Sequence, residues 1–337
     1  MQLSRFLSAT KHIEHFSKVG NEANILNSLL PLILSVARFR LDITGYLLRF
    51  LRIAYIEERF ATEKTVKTPI ALLIVCGPSD VEILSFAIKS AILFSKNPIT
   101  EIAIISPNKC LRQIKIITES ISVEGGIRMQ ILDEDDYINE DQRNELRNQF
   151  GNRYGWILQQ LIKFKWTSES SSNAILVQDA DTVFLREFDS ITAEGKQVIS
   201  YSAEFQKSYF SFLRYLGIRL KKPIYSTVTH HQVIQPRFMR EMMISCNIVA
   251  PDTLLSKISN FQKLKEDNRV SVDYELYGQY MRINHMEELE YRKFCNVPRQ
   301  RTYESVQEVE NILSGTVGSH YRSVSFHAYL GFDSNEK

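Results

Sequence analysis

The segment ILVQDADTVFL, residues 175 to 185, carries two carboxylates at a spacing of two, Asp179 and Asp181. Mostly apolar residues precede them, which predicts a buried strand that ends at the first aspartate. Side chains at this spacing on a strand point the same way. Carboxylate oxygens are the ligands that Mg²⁺ or Mn²⁺ prefers, and such a cation bridges a diphosphate. The segment therefore predicts a divalent cation site, and the alternative is an aspartate turn that caps the next element.

A second candidate site follows the apolar run PIALLIVCG, residues 69 to 77, which is typical of a strand buried on both faces. The turn after this run allows close backbone approach and directs amide groups at an anion, so we expect it to contact a phosphorylated ligand. This turn lacks the glycine patterns that are the usual signature of dinucleotide-binding enzymes and of Walker-loop enzymes. The residues of this turn are Gly77, Pro78, Ser79 and Asp80.

Strands and helices alternate around both candidates. This order predicts an α/β fold with a mainly parallel sheet flanked by helices, in which ligands bind at the carboxyl ends of the strands. Ser79 to Glu82 has the S-x-x-E form of a helix capping box, and residues 141 to 165 are predicted to be mostly helical. Further strands are predicted at 101 to 106, 128 to 132, 174 to 178 and 196 to 202.

Length and composition limit the class of protein. The 337 residues carry a formal net charge of +2 and are 44% hydrophobic, which predicts a folded chain and excludes a bulk electrostatic nucleic-acid binder. The four cysteines are too widely separated for a metal-binding spacing, which predicts reduced thiols and a cytoplasmic protein. We expect no transmembrane segment, because no uncharged stretch reaches the roughly 20 apolar residues that a spanning helix needs.

The charge is unevenly distributed along the chain. Residues 1 to 66 contain nine Lys and Arg and six Asp and Glu, a net charge of +3, which leaves the remainder at −1. Two amphipathic helices are predicted between Asn24 and Phe60, so we divide the chain into a helical extension, 1–66, and a main domain, 67–337. The extension either packs on the main domain or makes a peripheral contact with an anionic membrane or a partner.

The predicted helix before the aspartates carries further candidates for donor binding. Trp156, Gln160 and Lys163 share one helix face, which would place an amide and an ammonium near a bound phosphate. Arg153, at the start of this helix, would fork onto phosphate oxygens. The alternatives are plain packing for the tryptophan and a solvated surface position for the lysine.

Two enzyme families place such an aspartate pair after an apolar strand. A phosphatase of the haloacid dehalogenase type is the weaker candidate, because its aspartates lie on the first core strand, whereas three predicted strands precede Asp179. The other family is the GT-A glycosyltransferases. The chain resembles a bacterial family of unknown function grouped with them, over roughly residues 70 to 328, in GNRYGWILQQLIKFKW, QDADTVFL, TVTHHQV and SVDYELYGQYM.

This resemblance implies a GT-A-like, Rossmann-like fold, a nucleotide-diphosphate sugar donor, a glycan or lipid-linked acceptor, and Mn²⁺ or Mg²⁺ bound by Asp179 and Asp181. It favours His327 as a further metal ligand, with His320 as the second choice. It also implies a catalytic carboxylate at Asp273 or Glu275, although Val272 and Asp273 depart from the S-E-Y-E pattern of the family.

The sequence therefore predicts a metal-dependent glycosyltransferase. The departure of Val272 and Asp273 from the S-E-Y-E pattern motivates the alternative, a non-catalytic relative that binds nucleotide sugars or carbohydrates. The donor sugar, the acceptor and the choice between inversion and retention stay open, because both stereochemical classes share the fold and the metal motif.

Overall fold

The computed structural model describes residues 66–121, 126–202, 207–218, 226–265, 270, 272–293 and 295–327. The helical extension predicted over residues 1–66 lies outside the described residues, apart from Val66. The division into 1–66 and 67–337, and the membrane contact proposed for the first part, stay predictions.

A five-stranded sheet forms the centre of the molecule. Its strand order is β3-β2-β1-β4-β7, and β1 to β4 are parallel whereas β7 runs antiparallel to β4. The apolar runs form the buried strands because both faces of this sheet are covered. The expected mainly parallel α/β sheet is confirmed. Its strands are β1 Ile70–Val75, β2 Ile99–Ser106, β3 Arg128–Asp133, β4 Ile175–Asp179 and β7 His231–Ile234.

Helices connect the parallel strands. The capping box predicted from Ser79 is wrong, because Pro78–Asp80 forms a 3-10 turn and α1 begins only at Leu84, without a side-chain cap. The predicted helix at 141 to 165 is divided into two by Gly151, which has a positive φ of 52°. These helices are α1 Leu84–Phe94, α2 Asn108–Glu119, α3 Glu140–Phe150 and α4 Tyr154–Glu169.

Two smaller sheets complete the described fold. The strand predicted at 196 to 202 is present, but it pairs with β8 rather than joining the central sheet. A second small sheet has the order β5-β10-β9 and packs its own apolar cluster against α1 and the helix Tyr303–Leu313. The strands are β5 Thr182–Phe184, β6 Gln197–Tyr201, β8 Leu289–Lys293, β9 Asn296–Arg299 and β10 Ser323–Phe326.

The remaining helices pack on the central sheet or on the small sheets. A single π-helical turn, Val272–Leu276, leads directly into α8 and carries both predicted catalytic carboxylates. Among the described residues, no helix is long and apolar enough to cross a membrane. The helices are α5 Lys207–Tyr215, α6 Pro236–Ser245, α7 Pro251–Lys265, α8 Tyr277–Asn284 and α9 Tyr303–Leu313.

Candidate functional site

The two aspartates lie where the central sheet meets the β5-β10-β9 sheet. Asp179 is the last residue of β4, whereas Asp181 lies in the turn that leads into β5. The strand therefore extends one residue beyond the predicted 174 to 178, and Asp181 lies beyond its end, so strand alternation does not set the direction of the Asp181 side chain. Their side chains are 25% and 17% exposed, so both carboxylates are accessible to a ligand from the strand ends.

Asp179 is held by three side chains. Its Oδ1 accepts hydrogen bonds from Lys163 Nζ at 2.5 Å and from the Tyr274 hydroxyl at 2.8 Å, and its Oδ2 lies 3.3 Å from His230 Nδ1. Burial alone would raise the pKa of Asp179, but Lys163 and His230 together outweigh burial and hold that pKa well below its ordinary value. Asp179 is therefore a fixed anion that positions its neighbours.

Lys163 is buried rather than directed at the donor, with 3% of its side chain exposed. Besides Asp179 it contacts Asp273 Oδ2 at 3.2 Å, and its ammonium lies 4.7 Å from the centre of the Tyr274 ring. Burial would lower the pKa of Lys163, yet the two carboxylates raise that pKa above its ordinary value. The predicted contact between Lys163 and a phosphate is not supported by this geometry, because the ammonium is enclosed by protein groups.

Gln160 does not lie on an open helix face, whereas Arg153 keeps its predicted place at the start of the helix. Gln160 is buried, donates to Val270 O at 3.2 Å and accepts from Val272 N at 2.7 Å, so it holds the segment before the π-helical turn. Arg153 stays partly exposed and stacks over the Trp156 ring at 4.5 Å. Of the charged and amide side chains predicted to bind the donor here, Arg153 is therefore the one with solvent access, whereas Gln160 and Lys163 are buried.

Asp181 lies beside His327. The pairing of β5 with β10 joins Thr182 to Ser325, and this register brings His327 to Asp181, with 3.1 Å between Nδ1 and Oδ2. Thr182 Oγ1 donates to the other carboxylate oxygen at 3.1 Å. His320, the second choice, is exposed on the segment before β10.

The turn after β1 reaches the same edge of the sheet. Burial, and then repulsion by Asp181, raises the pKa of Asp80 to about 6. Arg301 closes this turn, because its Nη1 donates to Ser79 O at 2.9 Å and its Nη2 lies 3.6 Å from Asp80 Oδ1. The structure thus brings the predicted turn, Gly77 to Asp80, and the aspartate pair into one electrostatic environment.

The two predicted catalytic carboxylates are both buried. Asp273 has 4% exposure, contacts Lys163 and accepts from Tyr274 N at 2.8 Å. Glu275 is fully buried and accepts from Ser226 Oγ at 2.5 Å and from Thr227 N at 3.0 Å. Glu275 therefore fixes the segment that precedes β7. The catalytic role of either carboxylate stays a prediction, and neither is open to an acceptor here.

The side chains at the sheet edge are of the types that bind a divalent cation. Asp181 and His327 present an oxygen and an imidazole, the ligand types that Mn²⁺ accepts, and Asp80 adds negative potential. In the described part of the chain, no three carboxylate, imidazole or thiol groups already converge as a metal-binding group. Binding would therefore require these side chains to reorient.

Three residues that make contacts at the candidate site were not assigned a role from the sequence, namely His230, Tyr274 and Arg301. His230 and Tyr274 lie inside the quoted motifs THHQ and VDYE, so a signal was present without an assignment. Arg301 lies in none of the quoted motifs. No local pattern could place it at this site, because it is 222 residues from Ser79 along the chain.

Comparisons with known proteins give one family match. A family model described as a family of unknown function (DUF6492) matches residues 73–217, which include both aspartates. A search of the curated proteins found no match.

Several solved structures are similar at low sequence identity. Mouse xyloside xylosyltransferase 1 is 9% identical, with a TM-score of 0.44 over 78% of this chain and 99% of that chain. The galactosyltransferase LgtC, in complex with donor and acceptor sugar analogues, is 10% identical, with a TM-score of 0.45 over 76% of this chain and 87% of that chain. The mannosyltransferase Ktr4p from S. cerevisiae is 7% identical, with a TM-score of 0.49 over 74% of this chain and 76% of that chain.

Proposed function

We propose that this protein is a metal-dependent glycosyltransferase that uses a nucleotide-diphosphate sugar and transfers the sugar to a glycan or lipid-linked acceptor. The observation that carries the proposal is the meeting of Asp179, Asp181 and the turn after β1 at the carboxyl edge of a parallel sheet. Ligands of such sheets bind at this edge. The order of the motifs along the chain supports the same activity.

In this proposal each group has a defined task. Asp181 and His327 would hold Mn²⁺ or Mg²⁺, which would supply positive charge for the departing nucleoside diphosphate. The turn from Gly77 to Asp80 receives the nucleotide, and Arg153, which keeps solvent access, is the candidate cation for its phosphates. Lys163 holds Asp179 in place, and Asp179 in turn positions the neighbouring residues of the site.

Thermal unfolding with nucleoside diphosphates tests the donor site. We expect UDP or GDP with Mn²⁺ to raise the unfolding temperature, since a ligand at 100 times its Kd stabilises the folded state by about 2.7 kcal/mol. Asp181→Ala should abolish this protection. Asp141→Ala, an exposed carboxylate in the first turn of α3, is the matched control and should retain it. No protection of the wild type by any nucleoside diphosphate with either cation would refute the proposal.

A non-catalytic nucleotide-sugar-binding protein is the second candidate. The burial of Asp273 and Glu275 favours it, because it leaves neither predicted carboxylate open to activate an acceptor hydroxyl. A panel of nucleotide sugars separates the two candidates. Slow hydrolysis of one donor that is abolished by a chelator supports the transferase, whereas binding without any hydrolysis or transfer supports the second candidate.

A further inference from the structure

Gly77, the residue before the 3-10 turn that follows β1, is a glycine that the fold itself does not require. Its φ of −76° and ψ of 162° are extended values that any residue adopts. A Cβ at this position would meet no described atom closer than 3.6 Å, which is ordinary van der Waals contact. Neither the backbone conformation nor the packing therefore explains the glycine, and close approach of a ligand to the backbone is the remaining physical reason for one.

Three polar side chains surround the open side of Gly77. Asp80 Oδ2 and Gln159 Nε2 each lie 3.6 Å from the position of that Cβ, and Ser79 Oγ lies 3.9 Å from it. The Ser79 hydroxyl and Arg301 engage the other Asp80 oxygen, Oδ1, at 3.1 Å and 3.6 Å. Asp80 Oδ2 and the Gln159 amide therefore face a common space, which we call the Gly77 cleft.

The helix α4 assigns two adjacent glutamines to different tasks. Gln160 is buried, and the backbone of Val270 and Val272 uses its amide. Gln159 is partly exposed and lies about 100° away around the helix, so it faces the turn after β1 instead. Within the described part of the chain, no hydrogen bond to protein engages the Gln159 amide, which carries two donors and one acceptor. That amide is therefore available to a ligand in the Gly77 cleft.

The charge of the Gly77 cleft favours hydroxyl groups over phosphates. Burial, and then repulsion by Asp181, raises the pKa of Asp80 only to about 6, so this carboxyl is mostly ionised above neutral pH. A carboxylate repels an ionised phosphate but accepts hydrogen bonds from hydroxyls, and the Gln159 amide donates to a hydroxyl oxygen. The repulsion by Asp181 also means that the cleft adjoins the aspartate pair. Its ligand is therefore a hydroxyl-bearing group next to the diphosphate.

We propose that the Gly77 cleft binds a vicinal diol of the nucleotide-sugar donor, which Asp80 and Gln159 recognise. The ribose and the transferred sugar both flank the diphosphate of such a donor, and both carry neighbouring hydroxyls. This inference rests on the proposed function for the presence of the donor. It adds that the turn after β1 selects hydroxyls and that Gln159 contributes to donor specificity.

Isothermal titration calorimetry of the full chain at pH 8 with Mn²⁺ compares UDP and GDP with their 2′,3′-dideoxy analogues. Loss of the ribose hydroxyls should weaken binding to the wild type about tenfold, because the hydrogen bonds to a carboxylate are lost. Gln159→Ala should weaken binding of the parent nucleotide at least about threefold. Gly77→Ala places a methyl group in the cleft and should weaken it about tenfold. In both variants the difference between parent and dideoxy analogue should shrink.

Two matched controls show whether these effects are local. Gly318→Ala adds a Cβ that meets no described atom within 4 Å, and Gln113→Ala removes an exposed amide from α2, so both variants should bind as the wild type does. Gly77→Ala should keep the unfolding temperature of the wild type without ligand, because its backbone and its contacts accept a Cβ. If it does not, Gln159→Ala carries the test, since its side chain is partly exposed.

A second set of titrations identifies which diol is bound. UDP-glucose, UDP-galactose and GDP-mannose are compared with the corresponding diphosphates. If the dideoxy analogues bind as tightly as their parents, but a nucleotide sugar binds more tightly than its diphosphate and Gln159→Ala removes that gain, the diol belongs to the transferred sugar and the inference holds.

The outcomes separate this inference from the proposed function. Unchanged affinities of Gln159→Ala for all of these ligands would overturn the inference, while binding of UDP or GDP with Mn²⁺ would leave the proposed function intact. Equal weakening of every ligand by Gln159→Ala would also overturn it, because the amide would then contact the base or the phosphates. No binding of any nucleotide by the wild type would remove both.

Discussion

At the scale of single residues, Lys163 is the electrostatic centre of the candidate site. Its ammonium contacts Asp179 and Asp273, which belong to β4 and to the π-helical turn. A buried cation between two anions gains its stability from good geometry, and removal of one partner leaves an uncompensated buried charge. Lys163 therefore joins the strand end to the turn, and its loss should affect folding before chemistry.

We expect Lys163→Met to lower the free energy of unfolding by about 3 to 5 kcal/mol, because the buried carboxylate of Asp273 and the partly buried carboxylate of Asp179 lose their cation. Lys165→Met is the matched control on the same helix, since Lys165 is partly exposed and lies 5.9 Å from the Tyr137 ring. It should cost less than about 1 kcal/mol. Urea denaturation measures both values, and equal losses would contradict this role of Lys163.

At the scale of elements, α8 packs unusually closely on the segment before β7. A Cβ added at Gly278 would lie 2.6 Å from Thr227 Cβ, so Gly278→Ala should lower the free energy of unfolding by about 1 to 3 kcal/mol. The overpacking should outweigh the gain of roughly 1 kcal/mol that alanine brings to a helix, because the added Cβ would meet the branched carbon of Thr227 rather than the far end of a flexible side chain. Gly155→Ala in α4, whose Cβ would meet no described atom within 4 Å, should instead be neutral or stabilising. Chemical denaturation of both variants tests the contact, and stabilisation by Gly278→Ala would refute it.

The strand β7 begins with a buried histidine that makes folding sensitive to acid. Burial, and then the charge of Arg322, lowers the pKa of His231 to about 3. Between that value and the unfolded value near 6.5, the unfolded chain binds a proton that the folded chain excludes, so this group loses up to about 1.4 kcal/mol of stability per unit as pH falls. Asp80 acts in the opposite sense, because its pKa is raised, so only a comparison with a variant isolates His231.

His231→Gln should therefore lose less stability than the wild type between pH 6.5 and pH 4. Urea midpoints at half-unit steps of pH give the difference in the free energy of unfolding between the two proteins. That difference should change by roughly 1 kcal/mol for each unit in favour of the variant as the pH falls. A difference independent of pH would show that His231 does not titrate in this way.

The four parallel strands of the central sheet were predictable, whereas its antiparallel strand β7 and much of the site were not. Apolar runs such as Ile70–Val75 identify strands because a strand covered on both faces needs no polar alternation. Short strands such as Thr182–Phe184 carry too few residues for a pattern. Lys163 was predicted to contact a phosphate or to be a solvated surface residue, because its partner Asp273 lies 110 residues away and no local pattern encodes such a pairing.

At the scale of the whole molecule, the candidate site joins two sheets that are otherwise separate in their strand pairing. Asp179 and His230 belong to the β4 and β7 end of the central sheet, whereas Asp181 and His327 belong to β5 and β10. A cation held by residues from both pairs would link the sheets, so it should suppress local opening of the small sheet more than that of distant elements.

Hydrogen exchange followed by mass spectrometry tests this link. Saturating Mn²⁺ should slow exchange in peptides that contain Ser323–Phe326 and His231–Ile234, while peptides from Arg128–Asp133, at the opposite edge of the central sheet, should exchange as before. Asp181→Ala should remove the effect. Slowing that is uniform over the chain would indicate only global stabilisation, and slowing confined to the β3 edge would mean that the cation binds elsewhere. A local change at both strand pairs is expected because the four side chains lie at the ends of these strands or on the residues next to them, where the ladder ends and opening is least costly.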